Sequence, residues 1–183
     1  MSNIEIEKYK DNITLKNKIS RKIWFVFYCL LFRPFSGRMF IKWRNLILKI
    51  FGAKIGVGSI VYASAKILAP WNLEIGKETC IGPNVKFHIG KTIIGSKVTI
   101  SQGSYLCTGS HEVSSISVPF ISKAIVIQDF AWVAAECFIM MGVTIGEGAV
   151  VGARSSVFKN VDDWSIVGGN PAQFIKKRII NEH

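Results

Sequence analysis

Aliphatic residues recur six apart through the second half of this chain, and few folds accommodate that spacing. Ile127, Val133, Ile139, Ile145, Val151 and Val157 form one unbroken series, preceded by Ile94, Ile100 and Leu106. A period of six matches neither the 3.6-residue turn of an amphipathic helix nor the simple alternation of a strand. It marks a repeat architecture in which each hexad is one side of a coil. The series begins earlier, with Ile55, Val61 and Ile67, a slip of two to Ile75, then Ile81 and Phe87, and a slip of one to Ile94. The fifth residue of many hexads (Ser59, Ala65, Thr79, Val85, Val98, Ser104) is small or β-branched, as a second inward position requires. Like side chains then stack from turn to turn at about 4.8 Å. Gly76, Gly82, Gly95, Gly146, Gly148 and Gly152 fall at the expected corners, where tight bends or positive φ are needed. One interruption breaks the pattern, from Thr108-Gly109-Ser110-His111 to Ala124. The repeat reads as scaffold and the interruption as the functional element.

Charge separates the chain into parts. Of the net +11, residues 1–54 carry +9, residues 55–171 carry zero and residues 172–183 carry +2. A protein that tracks a phosphate backbone spreads positive charge along its main domain, so a nucleic-acid partner is excluded. Cys29, Cys80, Cys107 and Cys137 lie far apart with no metal-ligand spacing, which points to reduced, mostly buried thiols and a cytoplasmic setting. The apolar run Ile23–Phe32 follows Arg21-Lys22 but starts too far from the N-terminus for a signal peptide and lacks a small-x-small cleavage site. Its ten residues fall short of the roughly 20 that span a bilayer.

Before the repeat, residues 1–14 are polar. Leu15, Ile19, Ile23, Val26, Phe27, Leu30 and Leu31 then follow helical spacing until Pro34, and a second helix runs from about Gly37 to Phe51. In the latter, Phe40, Trp43, Ile47 and Ile50 share a side, with Arg38, Lys42, Arg44 and Lys49 elsewhere. Two readings of this basic, aromatic-rich pair stand together. Either it packs on the main domain or a neighbouring subunit, or residues 15–51 lie on an anionic membrane surface with Trp24, Phe25 and Trp43 inserted. The second reading would place the protein at the inner face of the membrane.

From Ile55 to Arg178 the chain resembles the hexapeptide-repeat acyltransferases. The resemblance is carried by Ile100-Ser101-Gln102-Gly103, by Leu106-Cys107-Thr108-Gly109-Ser110-His111, by Trp132, by Gly142-Val143-Thr144-Ile145-Gly146 and by Gly169-Asn170-Pro171-Ala172. It is most similar to the maltose/galactoside O-acetyltransferase branch and, within it, to the colanic-acid-type polysaccharide O-acetyltransferases. Phe32-Arg33-Pro34 and Phe51-Gly52-Ala53-Lys54-Ile55-Gly56 also match that subgroup. The resemblance implies an all-β fold, a left-handed parallel β-helix with three hexads per coil. That helix spans residues 55–171, behind an N-terminal helical extension (1–54) and ahead of a basic C-terminal tail (172–183), with an active-site loop at 111–124. It implies acetyl-CoA as co-substrate with no metal, a sugar or glycan hydroxyl as acceptor, and a homotrimer with each site between subunits.

Acyl transfer from a thioester to a hydroxyl needs a base that titrates near neutrality, and His111 at the break in the repeat suits that role. Glu112, where the subgroup usually has Asp, would orient the imidazole or the acceptor, beside Ser110. His88, near a slip in the repeat, would face the acceptor or else be an outward corner residue. On the donor side, Trp132, Ala134, Ala135, Gly152 and Ala153 stand at family positions lining the pantetheine groove, with a backbone amide near Ala135 as oxyanion donor. Lys159, Lys176, Lys177 and Arg178 would meet the phosphates, and Pro171 would cap the coil where adenine lies. Phe158, often Thr in the family, and Gln173, often Lys or Arg, depart from habit at the same nucleotide end. Cys107 falls just past an inward aliphatic, which argues against an acyl-enzyme.

Other classes share the repeat. Acetyltransferases of free sugars or antibiotics would use the same histidine, and a non-catalytic scaffold or glycan-binding module would not bind acetyl-CoA. A metal-dependent lyase of the γ-carbonic-anhydrase type needs a histidine pair five apart, which His88, His111 and His183 do not supply.

Overall fold

The computed structural model describes residues 13–180, so His183 and most of the polar lead-in lie outside the described residues. The hexads coil into a three-sided parallel solenoid of about six turns. The first face stacks strands ending at Ile55, Ile75, Ile94, Ile127 and Ile145. The second stacks those ending at Val61, Ile81, Ile100, Val133 and Val151, then the longer strand Ser165–Gly169. The third stacks strands holding Ile67, Phe87, Leu106, Ile139 and Val157. Register pairs like with like, as in Val133 opposite both Ile100 and Val151. Each of these aliphatics is buried, so every turn lays one apolar rung on the last.

The fifth-position residues also point inward, all of them buried. Their chemistry closes the backbone account at the corners. Ser59 Oγ donates to Gly76 O (2.6 Å) and accepts from Thr79 N (3.0 Å), while Thr79 Oγ1 donates to Gly95 O (2.7 Å). Ser104 Oγ donates to Ala134 O at 2.9 Å. A small hydroxyl inside a corner satisfies groups that a purely aliphatic corner would orphan.

Glycine sits at the corners for a reason other than the expected one. Among the six glycines named above, only Gly148 has positive φ. At Gly76 an added Cβ would stand 2.5 Å from the Gly95 carbonyl carbon, so absence of a side chain permits the coils to approach. The left-handed positions stack in columns and are largely held by other residues. Gly58, Glu78, Lys97, Phe130, Gly148 and Trp164 form one such column, all with φ between 53° and 79°. Such a turn costs a non-glycine residue of order 1 kcal/mol, offset here by coil-to-coil hydrogen bonds such as Lys97 N to Lys77 O at 2.8 Å.

Both ends of the solenoid are closed. At the first coil, α1 (Leu15–Phe27) runs into a π-turn over Tyr28–Phe32 and is followed by α2 (Ile41–Ile50). Three of their side chains bond the open edge: Trp24 Nε1 to Ile67 O (2.6 Å), Arg44 Nε to Val61 O (2.9 Å) and Asn45 Nδ2 to Ser59 O (2.8 Å). Arg44 is thus not on the solvent side of its helix. It is 2% exposed, also donates to Phe35 O and Gly37 O, and burial lowers its pKa. Ile50, grouped by spacing with Ile47, is exposed while Ile47 is buried. The same logic removes Trp24 from any membrane surface, because its ring is 2% exposed and its N–H is committed to the coil.

At the other end, residues 172–177 are not a free tail. Ala172–Lys177 folds back antiparallel on Ser165–Gly169, with Ser165 opposite Lys177. Lys177 Nζ donates to Asp163 O and Ser165 Oγ (both 3.0 Å), and Arg178 NH1 donates to Gly148 O (2.8 Å) and Phe130 O (3.0 Å). No described helix is long and apolar enough to cross a membrane.

Candidate active site

The interruption in the repeat is an antiparallel hairpin that leaves the third face after Cys107. Gly109–His111 pairs with Phe120–Ser122, setting His111 opposite Phe120 at the outer end. The excursion therefore begins two residues before the 111–124 loop read from sequence. Its base is anchored by buried Thr108, whose Oγ1 accepts from Gly90 N (2.8 Å) and whose carbonyl accepts from Ser122 Oγ (2.6 Å) and Lys123 N (3.1 Å).

At the tip, Val118 takes φ 45°, a conformation strained for a β-branched residue, and its amide is held by Ser115 O at 3.0 Å. The Val118 carbonyl is thereby brought within 2.8 Å of His111 Nδ1. Because a carbonyl only accepts, Nδ1 carries the hydrogen and Nε2 carries the lone pair in the neutral ring. The imidazole is exposed and packs edge-on against Phe120 at 5.8 Å between centroids.

Glu112 does not orient that ring in this geometry. Its Oε1 accepts from Ser114 N at 3.0 Å, and this bond, with help from the Ser114 hydroxyl and Lys123, holds the carboxylate below its usual pKa. Ser110 stays in the hairpin ladder opposite Ile121. His88 is no outward corner residue. It is wedged half-buried between Tyr105 (6.4 Å) and Phe120 (6.0 Å), and burial, then the charge of Arg21, lowers its pKa. Its Nδ1 is shielded and has no hydrogen-bond partner. Gly109 makes this packing possible, since a Cβ there would stand 2.5 Å from Phe120 Cζ and 2.9 Å from His88 Cε1.

Sequence reasoning missed the aromatic row that extends this cluster. From His88 and Tyr105, ring contacts continue through Phe138 (5.7 Å from Tyr105) to Phe158 (6.1 Å from Phe138), and burial raises the Tyr105 pKa to about 12. The signal was available, because each ring lies one residue from an inward apolar residue of the third face (Phe87, Leu106, Ile139 or Val157).

Trp132 lies on the second face, exposed, with Nε1 donating to Ser101 Oγ at 3.0 Å. Ala135, Gly152 and Ala153 line the corner between the second and third faces with at least part of their surface open, whereas Ala134 is buried. Within one chain these positions and His111 belong to different sides of the prism. At the C-terminal end, Phe158, Lys159, Pro171 and Gln173 line a single hollow of about 270 Å³. Lys177 and Arg178, expected at the same phosphates, are instead committed to pinning the last strand, and Lys176 is exposed beside them. Among the described residues, no group of three or more His, Cys, Asp or Glu is placed to hold a metal ion.

No family model matches the chain. The acetyltransferase WcaF of Escherichia coli K12, named for colanic acid biosynthesis, is 40% identical over 167 residues, covering 91% of each chain. Among solved structures, a hexapeptide-repeat acetyltransferase of Vibrio cholerae in complex with acetyl-coenzyme A superposes with a TM-score of 0.82 at 24% identity, covering 93% of each chain. A maltose O-acetyltransferase of Clostridium difficile 630 gives 0.76 at 21% identity, covering 91% of this chain and 90% of that one. The solenoid is the left-handed parallel β-helix of these neighbours. Identity of 40% across nine-tenths of both sequences decides the relationship, and the chain belongs to the hexapeptide-repeat acetyltransferases, in the branch of the colanic acid biosynthesis enzyme.

Proposed function

We propose that this chain transfers an acetyl group from acetyl-CoA to a sugar hydroxyl during biosynthesis of an exopolysaccharide, capsule or O-antigen, with His111 as general base. The observation that carries this reading is the Val118 carbonyl on His111 Nδ1, which leaves the basic lone pair at Nε2 on an exposed ring. Nε2 takes the proton of the acceptor hydroxyl as its oxygen adds to the thioester carbonyl carbon. The tetrahedral oxyanion then collapses, the C–S bond breaks, and the imidazolium returns the proton to the departing thiolate. Charge and atoms balance without a covalent enzyme intermediate. His88, with its shielded and unpartnered Nδ1 beside Phe120, supports an acceptor contact on the same side.

The donor is proposed to run along the corner formed by Ala135, Gly152 and Ala153, with its nucleotide end at the hollow of Phe158, Lys159, Pro171 and Gln173. Since Trp132 and His111 lie on different faces, the reading that fits both is a trimer in which the second face of one subunit serves the hairpin of the next. Peripheral contact of residues 15–51 with an anionic membrane belongs to the same proposal, carried by Phe25 and the outer face of α1 rather than by Trp24. Thiol release from acetyl-CoA, measured across nucleotide sugars, free sugars and isolated oligosaccharide repeat units, tests it. The expected result is acceptor-dependent release with an oligosaccharide. Release with none of them, or binding isotherms showing no acetyl-CoA uptake, overturns it in favour of a scaffold.

A further inference from the structure

A groove of about 870 Å³ runs between α1 and the third-face strand of the first coil. Its floor is apolar, formed by Trp24, Phe25, Tyr28 and Leu68, and five cations line it: Lys18, Arg21, Lys22, Arg33 and Lys66. Among the described residues, no carboxylate lines it. Arg21 Nε is shielded from solvent and has no hydrogen-bond acceptor, and among the described residues no salt bridge engages Arg21, Lys22, Arg33 or Lys66. A buried guanidinium nitrogen without an acceptor is uncommon in a folded protein and calls for a water or an anion, and the surrounding cations favour the anion. An apolar floor under a cationic rim selects an anion that carries a hydrocarbon chain, whereas a free phosphate would leave the floor empty.

The flank of α1 beside the groove supplies the setting. Leu15, Ile19, Ile23, Val26 and Leu30 are 50–72% exposed, a continuous apolar stripe on a basic helix. Such a helix lies in a membrane interface with its cations at headgroup level. The groove also faces the proposed chemistry. Lys66 precedes the inward residue of the third face in coil one, His88 follows it in coil two, and the hairpin leaves the same face in coil three. The axial separation is therefore two coil rises, about 10 Å. Arg21 is close enough for its charge to act on His88.

We propose that this groove binds the phosphate of a lipid-borne acceptor, seating the first part of the lipid chain on the apolar floor and directing the attached glycan to His111. The assignment rests on the acetyltransferase reading above and narrows its acceptor to a glycan carried on a lipid phosphate.

Flotation of the full-length protein with vesicles of phosphatidylcholine, with and without phosphatidic acid, tests the groove. The expected result is at least tenfold stronger binding to the doped vesicles, lost in Arg21→Gln/Lys66→Gln and retained in Lys42→Gln/Lys49→Gln, with thermal unfolding unchanged in both. Equal flotation of wild type and the Arg21/Lys66 variant, or full displacement by inorganic pyrophosphate, overturns it. Acetyl transfer to a soluble oligosaccharide, followed in parallel, separates the two readings. Transfer without phosphatidic-acid-dependent flotation removes the groove assignment alone. Flotation controlled by Arg21 and Lys66 with no transfer to any sugar leaves an anion groove and overturns its role in acceptor binding.

Discussion

The prism and the hairpin are built on opposite rules. In the prism each position repeats its neighbour one coil away, so Ile81, Ile100 and Val133 share one environment and strand backbone pairs with the next turn. In the hairpin no position repeats. Gly109, Val118 and Phe120 each solve one local problem, and together they hold one imidazole. The first arrangement distributes stability over many equivalent contacts, and the second concentrates the proposed chemistry on a few unique ones. Damage to the two regions should therefore appear in different measurements.

The sharpest contrast is His111→Ala, expected to lower kcat by about 10²–10⁴ with no change in unfolding temperature, since the exposed ring contributes little packing. Steady-state thiol release read beside a thermal melt checks it, and a near-wild-type rate would end the assignment of His111 as base. The mirror experiment is Ile100→Ala, at a fully buried rung of the second face. It should cost about 2–5 kcal/mol in denaturant unfolding while the folded fraction keeps its kcat. A variant that stayed equally stable would show that the rungs do not carry the fold.

Gly109→Ala sits on the boundary between the two regions. The new methyl must displace Phe120 or His88, which costs about 1–3 kcal/mol and shifts the ring against which His111 packs. Both readouts should move, with the loss in kcat exceeding the loss in stability. Gly76→Ala, which meets only coil backbone, should move stability alone.

The smallest effect is a pH dependence. Burial lowers the His88 pKa in the folded state, so above the unfolded value of about 6.5 the ring is neutral in both states and stability is flat. Below that value the unfolded chain binds a proton that the folded chain resists, and stability falls until the folded pKa is passed. His88→Phe should flatten this limb of the unfolding curve. If the acid slope survives, another group carries it.

How much was legible in the sequence follows from the same contrast. Inward positions such as Ile127 and Thr79 could be read without any tertiary knowledge, because a period of six recurs whatever surrounds it. The hairpin was visible only as a gap. Its key contact, Val118 O on Nδ1, depends on a left-handed turn that no side chain at position 118 announces. The docking face of the helical extension was hidden for a third reason. Leu15, Ile19 and Ile23 carry the helical spacing, yet the side chains that dock are Trp24 near the end of α1 and Tyr28 and Phe32 in the π-turn that follows. What decides between them is the indole N–H, which bonds an edge carbonyl that an aliphatic side chain would leave bare. Spacing set Arg44 apart from the apolar side on the same incomplete accounting, and it gave no sign that Lys177 and Arg178 donate to the backbone of the last coils.

The two closures of the solenoid have a consequence for how copies of the chain meet. A parallel coil with bare ends is a template for its own extension, each terminal turn offering the next molecule a strand to pair with. Here the lower rim is filled by an indole, a guanidinium and an amide, and the upper rim of the second face by a strand running the wrong way for further parallel growth. Stacking into a fibre is thereby opposed at the lower rim and along the second face of the upper one. The trimer proposed above then has only the flanks to use: copies set side by side like staves around a common axis would bring one copy's Trp132 alongside another's His111.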